Sequence, residues 1–235
     1  MLGPAKARRA SAALEFALVS PIALILMIGA FDAARAAIVW EQTCSAARAI
    51  AEAAEKLSYT AGSLQTQLTS TQMQAAMSIA YAQIPGFSLG NGTSSTSSFT
   101  VTLSEVVFSP VCTTSSGCSA QVPYVLWSTA LAQTGVTVAT PAVRACGALA
   151  TVSTFPDDST QLTKMVSWSQ NQIALAPQVV ADVKTIFVPT FSMFMGTVTF
   201  WSSAAMPAPI GDPSQVITYN NAAPAGSMVT CTVPS

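Results

Sequence analysis

Residues 16–31 carry no charge and nothing more polar than Ser20, and this run limits what the chain can fold into more than any other feature. As a helix its roughly 16 residues rise about 24 Å, against a hydrocarbon core of about 30 Å, so the segment is fit for lipid but slightly short of crossing it. Immediately before it stands Glu15. An ionised carboxylate at mid-span costs roughly 2.5–3.5 kcal/mol on insertion scales, so one at the lip of the run calls for a partner or a use. With Glu15 neutralised, the span can begin at Ser11 and reaches about 31 Å, long enough to cross.

The flanks give the anchor a direction and a continuation. Lys6, Arg8 and Arg9 precede the run, which favours a cytoplasmic N-terminus and an extracytoplasmic remainder, in a bacterium the periplasm. Pro21 removes a backbone donor and leaves the Ala17 carbonyl without its helical partner, a local loosening that membrane helices tolerate. Beyond Phe31 neither Gly nor Pro occurs before residue 57, Asp32 and Arg35 are spaced i, i+3, and alanine is the commonest residue. These features predict one helix of about 45 residues over 11–57, with its transmembrane half at about 14–39. Ile50, Ala53, Ala54 and Leu57 form an apolar stripe suited to seating the second half on a soluble head. A secretory signal peptide cut after the Ala34-Arg35-Ala36 pattern is the alternative, and it would release a soluble protein beginning at Ala37.

Composition narrows the function classes. Only 8% of the 235 residues are charged and there is no histidine. The commonest general base and metal ligand are therefore missing, and an enzyme is not expected. Scattered acids and nine basic residues make no patch for nucleic acid. No cofactor, metal or small-molecule substrate is implied. Asp157 and Asp158 beside Ser159 read as a turn or helix cap before they read as a cation site, and Asn91-Gly92-Thr93 as part of a Ser/Thr-rich turn before a glycan acceptor.

After residue 57 the pattern changes. A second helix is expected through Leu64, Leu68, Ala75, Ile79 and Ala82, ending at Pro85-Gly86. Alternating or apolar segments at 99–103, 122–131, 143–150, 179–188, 197–202 and 229–233 then read as strands, and a short helix is expected through Leu162, Met165 and Trp168. Helices followed by strands give an α+β head over 58–235 with a mainly antiparallel sheet. Outside the cytoplasm the five cysteines read as a disulfide framework. Cys112 and Cys118 close a short loop and are the first choice; Cys146 and Cys231 lie in strand-like segments and are the second, leaving Cys44 on the helix. Phe187, Phe191, Met193, Phe194, Met195, Phe200 and Trp201 are read as core, with an exposed binding patch as the other possibility.

The N-terminal residues Ala10-Ser11-Ala12-Ala13-Leu14-Glu15-Phe16-Ala17-Leu18-Val19-Ser20-Pro21, followed by Ile28-Gly29-Ala30-Phe31-Asp32-Ala33-Ala34-Arg35, resemble the TadE/TadG-like pseudopilins of tight-adherence pilus systems. A weaker likeness runs through Val179-Val180-Ala181-Asp182-Val183-Lys184, Phe187-Val188-Pro189 and Thr197-Val198-Thr199-Phe200. The resemblance implies a basic leader over 1–10, cut by a prepilin peptidase between Ala10 and Ser11 so that Glu15 becomes the fifth mature residue. Ala10 stands where glycine is typical. It further implies partners among other pilin-like subunits and the pilus assembly platform, with Glu15, Phe16 and Pro21 in the packing surface. On physical grounds, the freed α-amino group of Ser11 in one subunit can neutralise Glu15 of a staggered neighbour and so fix register. A secreted or anchored adhesin domain, released after about Ala36, is the competing function.

Overall fold

The computed structural model describes residues 4–57, 59–60, 63–64, 67–84, 99–111, 120–132, 142–154, 160–166, 177–191, 196–207, 218–220 and 227–231. A single helix, α1 (Pro4–Leu57), fills the N-terminal quarter and passes through Pro21. By length and composition it is apolar enough to cross a membrane. From Phe16 to Met27 it is bare: Phe16, Leu18, Val19, Ile22, Leu24, Ile25, Leu26 and Met27 are all exposed. Its second half is covered, with Asp32, Ala36, Thr43, Ala46, Ala47, Ile50, Ala51 and Ala54 buried. Their spacing of mostly three, four and seven residues keeps these side chains on one face.

In chain order the head contains β1 (Tyr59–Thr60), β2 (Ser63–Leu64), β3 (Gln67–Thr69), α2 (Ser70–Gln83), β4 (Phe99–Val111), β5 (Ala120–Ala132), β6 (Gly147–Ala148) and β7 (Ala150–Val152). A 3-10 turn, η1 (Gln161–Thr163), leads to β8 (Lys164–Val166), β9 (Gln178–Phe187), β10 (Val198–Pro207), β11 (Thr218–Asn220) and β12 (Ser227–Thr230). The main sheet runs β10-β9-β4-β5-β12 with every pairing antiparallel, and β6 adds to β5. The fold is α+β, as the sequence pattern implies.

β9 sits between β10 and β4 and is buried on both faces. Val179, Ala181 and Val183 point to the helix side, where they meet Ala46, Ala47, Ile50, Ala51 and Ala54 of α1, Ala76, Met77 and Ala80 of α2, and Phe99, Leu103 and Trp127. The four alanines that α1 gives to this cluster let its backbone approach the sheet closely. Val180 points the other way, into a smaller cluster with Val106, Val125, Leu149, Met165 and Cys231.

The second face also holds a buried ion pair. Arg144 grips Asp182 through Nε to Oδ2 at 3.0 Å and Nη2 to Oδ1 at 2.9 Å, and donates from Nη1 to the Lys164 carbonyl at 3.1 Å. Its backbone N–H donates to Ser128 Oγ at 2.9 Å, and Ser203 lies within hydrogen-bonding contact of Asp182. Burial pushes the Asp182 carboxyl up, against the pull of Arg144 and of its hydrogen bonds with Ser203 and Arg144. On the helix side of the sheet, the Trp127 indole N–H donates to Glu105 Oε2 at 2.6 Å, giving a buried carboxylate a partner.

Three segments depart from the sequence reading. The second helix starts at Ser70, because Gln67–Thr69 pair in parallel with Thr218–Asn220; tertiary pairing outweighs helix propensity there. Residues 142–146 are not strand: Arg144 must reach inward to Asp182, and Gly147 at φ 126° turns the chain into a conformation that suits glycine. The helix expected through Leu162 and Met165 is instead η1 followed by β8, which pairs in parallel with β7. Trp168 and Asp157–Asp158 lie outside the described residues.

Candidate functional site

The bare and covered halves of α1 meet at Asp32, and there the head is tied to the helix. β9 ends at Phe187, and Pro189, which has no N–H to offer a ladder, turns the chain toward α1. The next two backbone N–H groups both donate to one carboxylate: Thr190 to Asp32 Oδ1 at 3.2 Å and Phe191 to Asp32 Oδ2 at 3.0 Å. Asp32 is only 1% exposed. Arg35, one turn on, places Nη1 3.7 Å from Asp32 Oδ1 and also donates to Thr190 Oγ1. Its guanidinium carbon stands 5.8 Å from the Phe31 ring centre and 5.6 Å from that of Phe187. Arg35 thus combines an ion pair, a hydrogen bond and two cation–π contacts.

A second tie lies farther along. Thr43 Oγ1 donates to the Val39 carbonyl at 2.7 Å and sits 3.0 Å from Thr185 Oγ1 on β9. Asp32 and Thr43 are about 16.5 Å apart along a helix at 1.5 Å per residue, and Thr185 and Thr190 about 16.5 Å apart along extended chain at 3.3 Å per residue. Helix and strand therefore run alongside each other in opposite directions, and the turn after β9 brings the second tie to Asp32.

The residues singled out from the sequence fall at several places. Ala10 and Ser11 lie in the first turns of α1; their side chains are outside the described part. Glu15 is on the exposed stretch of α1 and Phe16 is 75% exposed; Pro21 lies within the same stretch. Along the helix all five precede Asp32 by about 16 Å or more. A disulfide joins Cys146 and Cys231 across a Cα–Cα distance of 5.4 Å. Cys112 and Cys118 lie outside the described residues, and Cys44 is a half-buried free thiol. Of the aromatic group, Phe187 is core, Phe200 and Trp201 are half-buried, Phe191 is 43% exposed, and Met193, Phe194 and Met195 lie outside the described residues.

Reading the sequence missed the junction itself. Asp32 and Arg35 were legible as a pair one turn apart, but not as the acceptor and clamp for a turn more than 150 residues away. The usable signal was there: a carboxylate within an otherwise apolar stretch needs a partner, and Asp32 meets that condition as Glu15 does.

Residues 10–52 match the family described as TadE-like protein. The segment begins near the start of α1 and ends inside the part packed on the head, so the bare run, Asp32 and Arg35 of the junction and most of the covered stripe fall within it. The chain thus carries a TadE-like domain, consistent with a TadE-like protein of the tight-adherence pilus system, and that family is a pilus-associated structural one. No curated protein and no solved structure shows detectable similarity to the chain.

Proposed function

We propose that this chain is a minor pilin-like subunit of a tight-adherence pilus, anchored through α1 with its N-terminus cytoplasmic and its head in the periplasm. One observation carries the reading: the TadE-like segment coincides with a helix that is bare from Phe16 to Met27 and built into the head from Asp32 on. The bare half serves as tether and as packing surface for other pilin-like subunits. The covered half makes the head move with it. A prepilin peptidase acts between Ala10 and Ser11, and the freed amino group of Ser11 pairs with Glu15 of a staggered neighbour at the edge of the hydrocarbon. Prepilin peptidase, other pilin-like subunits, the assembly platform and membrane lipid are the partners.

A cut after Ala36 would discard Asp32 and Arg35, which hold the turn at Thr190–Phe191, and would open the helix where Ala36 is buried. This speaks against a released adhesin. N-terminal sequencing of the protein from native membranes tests the proposal: a start at Ser11 in the detergent phase is expected, and a water-soluble protein starting at Ala37 overturns it. Glu15→Ala should insert into the membrane and fail to enter an assembly with its partner subunits.

A further inference from the structure

We infer that the Val188–Phe191 turn of the head is itself inserted into the outer edge of the bilayer, with Phe191 among the lipid acyl chains. The inference rests on the membrane-crossing reading of α1 and adds that the head touches lipid instead of standing clear of it.

Glu15 and Arg35 bracket a stretch whose only charged residue is Asp32. Arg35 stands twenty positions after Glu15, about 30 Å along a helix, which matches the thickness of the hydrocarbon core. Set at its two edges, they place Asp32 about 4.5 Å inside the apolar region and Trp40 about 7.5 Å above it, at headgroup depth where tryptophan is favoured. Trp40 is exposed, as a residue facing headgroups would be.

At that depth Asp32 and the turn solve each other's problem. A carboxylate facing acyl chains is costly, and so is irregular backbone with open N–H groups. Here the Thr190 and Phe191 N–H groups end on the Asp32 carboxylate, Arg35 balances the charge from the headgroup side, and Asp32 is closed off from its surroundings. What the junction leaves open is largely apolar: Phe31 at 56% and Phe191 at 43%, with Ala33, Ala34, Ala37 and Ile38 along the exposed side of the helix. The partly exposed Arg35 guanidinium is placed to meet lipid phosphate.

The test uses the full chain with Cys44, Cys112 and Cys118 replaced by serine in phosphatidylcholine–phosphatidylglycerol vesicles, labelled with an environment-sensitive fluorophore at Phe191→Cys, Ile25→Cys or Thr163→Cys. Thr163 adjoins β8, whose Lys164 carbonyl accepts from Arg144, roughly 25 Å up the sheet from Thr190. Lipids brominated near the carbonyl end of the acyl chains should quench the label at 191, deeply brominated lipids the label at 25, and neither the label at 163. Quenching at 25 without quenching at 191 overturns the inference and leaves the membrane anchor standing; no quenching at 25 overturns the anchor itself. Photoactivatable acyl chains mapped on the unsubstituted protein give a second reading free of variants: crosslinks to the peptide containing Phe191 are expected, and their absence beside crosslinks to residues 16–31 overturns the inference.

Discussion

Replacing Asp32 with alanine should release the head's lower turn while leaving the sheet intact. The wild-type carboxylate accepts two backbone N–H groups, at 3.2 and 3.0 Å, in a buried position. Hydrogen bonds to charged groups contribute about 1.5–3 kcal/mol each, and a buried donor left without an acceptor costs about 1–3 kcal/mol. Both donors lose their partner at once, and partial rehydration offsets some of the loss, so about 2–4 kcal/mol is expected at this point. Local opening is read directly by amide hydrogen exchange, where each 1.4 kcal/mol is a factor of ten, so the Thr190 and Phe191 amides should exchange about 30- to 1,000-fold faster. Amides in the β4–β5 ladder should keep their wild-type rates, because that ladder has its own partners far from Asp32. Asp32→Asn keeps one acceptor oxygen and should fall between. Unchanged exchange at 190 and 191 in Asp32→Ala would refute the junction, and equal acceleration throughout the head would refute its local character.

Breaking the buried ion pair by Arg144→Met should cost about 3–5 kcal/mol in chemical unfolding, because Asp182 is left buried without its countercharge, whereas Arg144→Met with Asp182→Leu should recover most of that loss. Because burial raises the Asp182 carboxyl from its ordinary 3.8, the folded protein holds that proton at pH values where the unfolded chain has released it. Its contribution is therefore greatest below about pH 4 and is lost as pH rises through the folded-state pKa, so the Tm advantage of wild type over Asp182→Asn should shrink with rising pH. An advantage that grew instead would mean that the arginine's pull outweighs burial. Replacing Cys146 and Cys231 by serine opens a link between residues 85 apart in sequence and should cost about 2–5 kcal/mol by thermal unfolding, with the helix content of α1 retained.

The local elements were largely legible in the sequence because short-range patterns encode them. The uncharged run at 16–31, the alternation from Phe99 onward and the apolar density of residues 179–183 reflect the environment each segment enters. What was hidden depends on contacts distant in sequence. Gln67–Thr69 become strand only because Thr218–Asn220 lie beside them, and residues 142–146 lose regular structure because Arg144 turns toward Asp182. For the candidate site, the exposed face with Glu15 and Phe16 could be read directly, and its likeness to the TadE-like family with it. The junction could not, since both donors to Asp32 are main-chain groups, and a backbone N–H has no side-chain signature.

The paired ties at Asp32 and Thr43 also bear on how force passes through the molecule. Two fixed points along one rod, one fastened to β9 and the other to the turn that follows it, hold the rod against swivelling or sliding relative to the sheet. Any machinery that grips the bare end and draws it outward or twists it must carry the whole head through the same screw motion.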